Sequence, residues 1–474
     1  MYLKEYYKKM RLINHKVSVI SDYDQDIIND GIYVAIKDLT YIDNAIKKGA
    51  KTIIYNKKYK IKKIENINYI GVESPKKELS KLLKYEYSFN HNKKPIFIGI
   101  TGTNGKTTTS YLLYQYLKWL SNDVLYIGTG WIYSISSLKE TVENINNTTP
   151  SISYLYKYLR NNKYDYVILE VSSQGIEEGR ILGIEFDIIS ITNLSTDHLD
   201  YHETINQYKI VKGKIIYSLN NESKYKKIIL NKEDNHYNYF ANLSLNDVVS
   251  YGINDGDYKP IHFKSNLNGI ELVIRDKKII KIQSNLIGDF NMYNIMNLYT
   301  INKVLNYNIN YFKSFINNKR LSIPGRMNII NKDNCTFVVD YAHTIDSVKN
   351  ILSYIKKIIN KENIIVVLGA GGNRDKSKRR IIGKYVTKNA DYVYFTEDNS
   401  RNEKTEEILY DLISDVNTNN FEIIVSRKKA IMEAYKRFNS NSYILVLGKG
   451  NENYIIHNNY LEEHNDIKYI KGLM

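Results

Sequence analysis

The chain of 474 residues is poor in residues that constrain a fold covalently, with one cysteine, Cys335, and only 5 prolines. A single cysteine excludes an intrachain disulfide and fits a reducing compartment, so we expect a cytoplasmic location. No stretch of 18 consecutive apolar residues occurs, and Met1–Lys9 lacks the apolar core of a signal peptide. Membrane insertion is therefore not expected.

Positive charge is in excess, with 67 Lys and Arg against 51 Asp and Glu, a formal net charge of +16. Such a surplus can indicate binding to nucleic acid or to an anionic membrane. Here the lysines are dispersed through segments rich in Ile, Asn and Tyr, which favours a general compositional drift. We expect no nucleic-acid partner, and we expect the lysines to attract phosphorylated substrates at long range.

The length favours two or three domains, because 474 residues exceed what one hydrophobic core accommodates. Short apolar runs alternate with helix-like stretches, a pattern typical of α/β folds with parallel sheets. Polar or turn-forming segments at 90–95 and 324–326 interrupt the alternation. We predict an α/β protein with an N-terminal domain at 1–92, a central P-loop domain at 93–320 and a C-terminal Rossmann-like domain at 321–474. The predicted strands are 31–36, 52–55, 96–101, 124–127, 166–169, 188–191, 336–339, 364–368, 392–396, 421–425 and 443–447.

A glycine-containing loop follows the apolar run 96–101 and precedes an amphipathic stretch. Glycines allow a tight turn whose N–H groups point at phosphate oxygens, and the next helix adds its positive N-terminus. The spacing departs from the strict P-loop, because the nearby glycine is Gly99 and the residue five before Gly105 is Ile100. The loop nevertheless predicts ATP and Mg²⁺ binding, with Lys106 on the phosphates and Thr107 on the metal. The predicted ATP-binding residues here are Gly102, Thr103, Asn104, Gly105, Lys106, Thr107 and Thr108.

Polar side chains follow two further predicted strands, where ligands bind in parallel sheets. Glu170 ends the strand at 166–169 and is a candidate metal ligand. His198 follows the strand at 188–191 and is either a metal ligand or a capping residue.

The order of several motifs resembles that of the Mur ligases of peptidoglycan synthesis. The resemblance implies a UDP-binding N-terminal domain, a central ATPase domain and a Rossmann-like C-terminal domain. The motifs are Gly102–Thr109, Thr148–Pro150, Glu170–Ser173, Thr192–Leu194, Asp197–Asp200 and Gly288–Asn294.

The resemblance implies roles for individual residues of the central domain. Thr107 and Glu170 would hold one Mg²⁺ and His198 a second, while Lys212 would be carbamylated into a carboxylate-like group suited to a metal site. The alternative for Lys212 is a solvated helical lysine. Asn291 and Asn294 would contact adenine. The residues expected to hold the UDP-muramoyl peptide are Thr148, Thr149, Ser172, Glu178 and Arg180.

The C-terminal domain carries further motifs of the family. Pro324–Asn328 resembles a hinge whose arginine, Arg326, meets ATP phosphate, and Val339–Thr344 resembles a segment that places Asp340 near the ribose. From the residues alone, Asp340 is equally a helix cap.

The choice of amino acid is indicated by the segments 369–379, 396–403 and 448–452, which resemble those of members that add the third amino acid. Members adding meso-diaminopimelate carry an arginine that matches Arg401, and a guanidinium pairs bidentately with the extra carboxylate of that amino acid. Ser400 and Asn451 stand where the family has proline and histidine. The expected diaminopimelate contacts are Arg374, Asp398, Asn399, Arg401, Gly448 and Glu452.

The expected activity is ATP-dependent addition of meso-diaminopimelate to UDP-N-acetylmuramoyl-L-alanyl-D-glutamate through an acyl phosphate, by a monomer, with Lys106, Glu170, His198 and Lys212 as the catalytic residues. Three alternatives remain open. They are the same ligase using L-lysine, which Arg401 disfavours, a folylpolyglutamate synthase-type ligase, and a basic nucleic-acid-binding ATPase.

Overall fold

The computed structural model describes residues 1–473 except 37, 91–93, 138, 146, 198, 245–247, 267, 319, 334, 360–362, 438–441 and 459. Strands and helices alternate along most of the chain. The strands are β1 (Ile20–Ser21), β2 (Gly31–Val34), β3 (Ala50–Asn56), β4 (Asn68–Val72), β5 (Ile96–Thr101), β6 (Val124–Gly128), β7 (Trp131–Ser136), β8 (Lys139–Asn144), β9 (Tyr166–Glu170), β10 (Ile188–Ile191), β11 (Lys227–Asn231), β12 (Val248–Tyr251), β13 (Pro260–Asn266), β14 (Gly269–Arg275), β15 (Ile279–Ser284), β16 (Asn328–Lys332), β17 (Cys335–Asp340), β18 (Asn363–Leu368), β19 (Tyr392–Phe395), β20 (Phe421–Ile423), β21 (Ser442–Leu447), β22 (Tyr454–Ile456) and β23 (Leu461–Glu463).

The helices vary from one turn to four turns. They are α1 (Leu3–Tyr6), α2 (Ile42–Lys47), α3 (Pro75–Asn90), α4 (Lys106–Trp119), α5 (Ile152–Asn161), α6 (Ser173–Glu177), α7 (Leu199–His202), α8 (Ile205–Gly213), α9 (Tyr237–Asn242), α10 (Asp289–Val304), α11 (Ile309–Asn318), α12 (Ile345–Ile358), α13 (Ser377–Asn389), α14 (Thr405–Ile413), α15 (Arg427–Lys436) and α16 (Asp466–Gly472). Across the described part of the chain, none of these helices is both long enough and apolar enough to cross a membrane.

The described residues divide into two compact units, the first built from residues 1–101, 117–190 and 211–228. Strands β1 to β4 form a parallel sheet in chain order. In a second sheet β9 pairs in parallel with both β5 and β6, and β7 and β8 extend it as an antiparallel hairpin. Ile100 is the partner of Glu170, so this carboxylate lies at the carboxyl edge of the sheet.

The second unit contains residues 102–116, 191–210 and 229–474. Its main sheet has the order β16-β17-β21-β18-β19-β20 and is parallel except for the edge strand β16. The central strands are apolar along most of their length, as expected where both faces of a sheet are covered. Alternate residues of β17, such as Phe337 and Val338, therefore belong to two separate cores. Strands β13 to β15 form an antiparallel meander.

The predicted α/β class and the predicted strands are confirmed, with ends that shift by a few residues. The hairpin β7–β8 and the meander were not predicted, because β8 is polar and largely exposed and so lacks the apolar run of a buried strand. The division into three domains, with boundaries after residues 92 and 320, stays a prediction.

Candidate active site

The phosphate loop, residues 102–105, lies in the second unit and needs glycine at both ends. Gly102 and Gly105 have φ of 144° and 83°. A Cβ on Gly102 would lie 1.9 Å from Thr192 Oγ1, and one on Gly105 would lie 2.6 Å from Asn294 Oδ1. The loop is fastened to Asn193, whose backbone oxygen accepts from Thr103 N at 2.9 Å. Glycine is therefore required here by backbone conformation and by close packing.

Helix α4 begins with Lys106, predicted to bind the phosphates, and Thr107, predicted to bind the metal. Lys106 Nζ donates to the backbone oxygens of Gly102 at 3.0 Å and Thr103 at 2.8 Å, so its ammonium lies over the loop. Thr107 Oγ1 accepts from Arg326 Nη2 at 3.2 Å. The arginine of the predicted hinge thus reaches the first turn of α4, directly after the loop. Thr108 is buried.

Helix α10 carries two buried asparagines, one of which contacts the helix that follows the phosphate loop. Asn294 Oδ1 accepts from Thr109 Oγ1 at 3.3 Å, and Asn294 Nδ2 donates to Asn291 Oδ1 at 2.8 Å. Asn291 Nδ2 donates to the backbone oxygen of Ile287 at 2.7 Å. Both side chains are buried, and their contact with adenine stays a prediction.

Asp340 organises the turn that carries Arg326. Its two carboxylate oxygens accept from Met327 N at 2.7 Å and Ala342 N at 2.8 Å. Burial raises the pKa of Asp340, and Arg326 opposes that rise. The helix-cap alternative does not hold, because Thr344 caps α12. The Arg326 guanidinium stacks 4.5 Å from the ring centre of Tyr341.

Glu170, at the end of β9 in the first unit, is only 1% exposed. Its Oε1 accepts from the Tyr126 hydroxyl and from Thr129 N at 3.3 Å, and its Oε2 accepts from Thr129 Oγ1 at 3.1 Å. A Cβ on Gly128 would lie 2.2 Å from Glu170 Oε1. Tyr126, Gly128 and Thr129 position this carboxylate, and the sequence offered no motif to find them.

The residues predicted for the muramoyl peptide lie beside Glu170. Thr149 Oγ1 donates to the backbone oxygen of Glu170 at 2.9 Å and accepts from Ser172 N at 2.9 Å. Thr148 Oγ1 lies 3.1 Å from Thr129 Oγ1. The structure thus brings both threonines to the edge of the sheet.

Arg180 joins this group through its guanidinium. Its Nη1 donates to the backbone oxygen of Thr149 at 2.7 Å, while its Nε and Nη2 donate to Glu178 Oε2 at 3.0 and 2.7 Å. Glu178 and Arg180 form a partly exposed ion pair, which leaves them accessible to a ligand.

Lys212, on helix α8, is only 1% exposed, unlike the solvated lysine considered from sequence. Its Nζ lies 3.4 Å from Thr101 Oγ1, at the end of β5. His198 lies outside the described residues, and its role as a metal ligand stays a prediction. Among the residues that are described, no three His, Cys, Asp or Glu side chains form a cluster able to hold a metal.

Residues predicted to bind the incoming amino acid lie close together in the second unit, around Asn399. Asn399 Nδ2 donates to Glu452 Oε2 at 2.8 Å, and Asn399 N donates to Asp398 Oδ1 at 2.6 Å. A Cβ on Gly448 would lie 2.8 Å from Asp398 Oδ2. Burial would raise the pKa of Asp398, but Lys449 and Arg427 hold that pKa below its ordinary value. Asp398 is therefore a buried carboxylate that stays charged.

Arg401 lies on the other side of Asn399. Its Nη1 donates to the backbone oxygens of Gly372 at 2.8 Å and Asn399 at 3.3 Å. Burial and the neighbouring positive charge of Arg374, an exposed residue, lower the pKa of Arg401. Two guanidinium groups close together suit an anionic group between them.

Two residues missed by sequence reasoning complete this pocket. Lys449 is fully buried and contacts Asp398, Asn399 and Glu452. The Tyr341 hydroxyl donates to Glu452 Oε1 at 3.2 Å. Burial and the Glu452 carboxylate raise the pKa of Tyr341, so its hydroxyl stays protonated and acts as the donor.

Comparisons with known proteins agree with this geometry. The family model described as Mur ligase middle domain matches residues 100–300, and the model described as Mur ligase, glutamate ligase domain matches residues 325–450. A relative from Clostridium acetobutylicum, named UDP-N-acetylmuramoyl-L-alanyl-D-glutamate--2,6-diaminopimelate ligase 1, is 33% identical over 92% of this chain and 90% of its own length.

Solved structures support the same fold. One of a UDP-N-acetylmuramoyl-L-alanyl-D-glutamate--2,6-diaminopimelate ligase is 23% identical, with a TM-score of 0.65 over 99% of this chain and 98% of that chain. One of a MurF ligase from Thermotoga maritima in complex with ADP is 16% identical, with a TM-score of 0.65 over 90% and 93%. Given the match along nearly the whole length of the Clostridium acetobutylicum relative, the chain belongs to the Mur ligase family of ATP-dependent ligases.

Proposed function

We propose that this chain uses ATP to join meso-diaminopimelate to UDP-N-acetylmuramoyl-L-alanyl-D-glutamate. The observation that carries the proposal is the pair of opposite charges on Arg401 and Glu452, which both contact Asn399. The far end of diaminopimelate carries one ammonium and one carboxylate, so it matches this pair. The far end of L-lysine has only the ammonium and would leave Arg401 without its anion.

In the proposed reaction the γ-carboxylate of the D-glutamyl residue attacks the terminal phosphorus of ATP, and ADP leaves. An amine of diaminopimelate then attacks the acyl phosphate, and a tetrahedral intermediate collapses to the amide as phosphate departs and the amine loses a proton. Lys106 and Arg326, both at the phosphate loop, offset the negative charge of the transferring phosphoryl group. This charge stabilisation is the largest contribution expected of the protein.

We propose Thr107 and Glu170 as ligands of Mg²⁺, whose preference for hydroxyl and carboxylate oxygens they satisfy. Bound Mg²⁺ supplies further charge neutralisation at the phosphates. We propose His198 for a second ion. The burial of Lys212 supports its carbamylation, because a buried ammonium is costly whereas a carbamate can accompany a cation.

The remaining predicted residues keep their proposed roles. Asn291, Asn294 and Asp340 serve the adenosine part of ATP. Thr148, Thr149, Ser172, Glu178 and Arg180 hold the muramoyl peptide, since hydroxyl groups and a guanidinium suit its carboxylates. We also propose that the enzyme acts in the cytoplasm as a monomer.

The test is an assay of the purified chain with ATP, Mg²⁺ and UDP-N-acetylmuramoyl-L-alanyl-D-glutamate, with meso-diaminopimelate or L-lysine added separately. We expect phosphate release that depends on diaminopimelate, and a product whose mass equals the two substrates minus one water. Faster turnover with L-lysine would replace the proposed amino acid. Turnover of a folate substrate with glutamate, and none of the UDP substrate, would overturn the proposal.

A further inference from the structure

Lys449 is a fully buried lysine in the amino-acid pocket, and its ammonium is surrounded by oxygens. Its Nζ lies 2.8 Å from Glu452 Oε2, 3.0 Å from Asn399 Oδ1 and 3.5 Å from Asp398 Oδ1. An ammonium has three N–H donors, and three oxygens surround this one. All three belong to residues proposed to bind diaminopimelate.

The two oxygens of Glu452 are used differently. Oε2 accepts hydrogen bonds from both Lys449 and Asn399, so its acceptor capacity is used by protein groups. Within the part of the chain that the structure describes, Oε1 accepts only from the Tyr341 hydroxyl, at the longer distance of 3.2 Å. A carboxylate oxygen accepts two hydrogen bonds readily, so Oε1 retains capacity for a substrate donor.

Charged groups of both signs lie around Lys449. Asp398 and Glu452 supply two negative charges, and Lys449 and Arg401 supply two positive charges. The nearby buried pair Arg427 and Asp466, 2.8 Å apart, is neutral by itself. Two carboxylates beside a buried ammonium, with the guanidinium groups of Arg401 and exposed Arg374 nearby, suit the zwitterionic end of an amino acid, whereas the loss of Lys449 would leave the two carboxylates without the cation between them.

We infer that Lys449 is a positioning residue for amino-acid binding, which fixes Glu452 Oε2 and thereby directs Oε1 to the distal ammonium of the substrate. This inference rests on the proposed function, because it takes Glu452 as the partner of that ammonium. Lys449 itself does not touch the substrate. Its effect therefore concerns binding of the amino acid and not the chemical step.

The inference distinguishes Lys449 from Arg401. Both meso-diaminopimelate and L-lysine carry a distal ammonium, so loss of Lys449 should weaken both. Loss of Arg401 should weaken only diaminopimelate, since L-lysine lacks the second carboxylate. Loss of a residue needed only for folding would not weaken binding of the two amino acids while leaving the KM for ATP unchanged.

The experiment measures kcat and KM for meso-diaminopimelate, and KM or the inhibition constant for L-lysine, in wild type, Lys449→Met, Glu452→Gln and the double variant. We expect Lys449→Met to raise both amino-acid constants by roughly 10- to 100-fold, as for loss of a charged hydrogen bond, with kcat and the KM for ATP changed less than about 3-fold. In the Glu452→Gln background the same change should add little, because Lys449 acts through Glu452.

Lys436→Met, at an exposed lysine of α15, is the matched control for loss of one positive charge and should keep wild-type constants. If Lys449→Met does not fold, Lys449→Gln serves instead, since its amide can still donate to Glu452, and we expect a smaller rise in the same constants. Unchanged amino-acid constants, a fall in kcat alone, or full additivity with Glu452→Gln would overturn the inference. A wild-type chain inactive with both amino acids would refute the proposed function instead.

Discussion

At the scale of single residues, Arg401 is the residue proposed to bind the second carboxylate of the amino acid. Its φ of 52° is unusual for a residue with a side chain, and the described side-chain hydrogen bonds are made by Nη1. Nε and Nη2 of the same group form the edge that pairs bidentately with a carboxylate. The backbone is thus held in an unfavourable conformation that places a guanidinium beside Asn399.

Arg401→Ala should lower kcat/KM for meso-diaminopimelate by roughly 100-fold or more, because the bound carboxylate would be buried without its partner. The value for L-lysine should change less than about 3-fold. Arg401→Lys is the matched variant, which retains the charge but not the bidentate geometry. Its kcat/KM for meso-diaminopimelate should lie between the values of wild type and Arg401→Ala. Steady-state assays with both amino acids decide this, and an equal loss for both would contradict the assigned role.

At the scale of elements, buried Arg379 joins the turn before α13 to the segment that carries Arg401. Arg379 Nη2 donates to the backbone oxygen of Gly371 at 3.1 Å and to Glu403 Oε1 at 3.0 Å, and Nη1 donates to Glu403 Oε2 at 2.9 Å. The hydrogen bonds from Arg379 lower the pKa of Glu403 to about 2. Glu403 thus stabilises the folded state above its unfolded pKa of about 4.3, and this contribution is lost as the pH falls toward 2.

Glu403→Gln should lower the thermal unfolding midpoint at pH 7 by roughly 3 to 6 °C, because Arg379 loses one of its two carboxylate partners and keeps only Asp411. The difference from wild type should shrink as the pH falls from 5 to 3, since Glu403 of the unfolded chain, with a pKa of about 4.3, then takes up a proton while folded Glu403 stays charged. Glu422→Gln, at an exposed position of β20, is the control. Calorimetry at several pH values measures the difference in unfolding midpoint between wild type and Glu403→Gln. A difference that stays constant down to pH 3 would contradict the stabilising role of the ion pair between Arg379 and Glu403.

The elements also show what a sequence can predict. Strands such as β9 and β18 are buried on both faces, so their apolar runs mark them clearly. The positions of Gly128 and Lys449 could not be predicted in the same way. Gly128 matters because it lies against Glu170, 42 residues away in sequence, and lysines are rarely buried. Pairing across the sheet and burial of a charge are decided by tertiary structure.

At the scale of the whole molecule, the net charge of +16 acts on the two kinds of substrate differently. UDP-N-acetylmuramoyl-L-alanyl-D-glutamate carries a diphosphate and carboxylates, so a positive protein attracts it over distances comparable to the Debye length. meso-Diaminopimelate has two ammonium and two carboxylate groups near neutral pH, so its net charge is close to zero. Only the first substrate should respond strongly to long-range attraction.

Raising the salt concentration from about 50 to 300 mM should therefore lower kcat/KM for the UDP substrate several-fold, since screening shortens the range of the attraction. With the UDP substrate saturating, kcat/KM for diaminopimelate should fall less than about 2-fold. Sodium and potassium chloride at matched ionic strength control for specific ion effects. Equal falls for the two substrates would mean that salt acts on the folded enzyme or on ATP binding. The dispersed lysines would then have no role in attracting the UDP substrate.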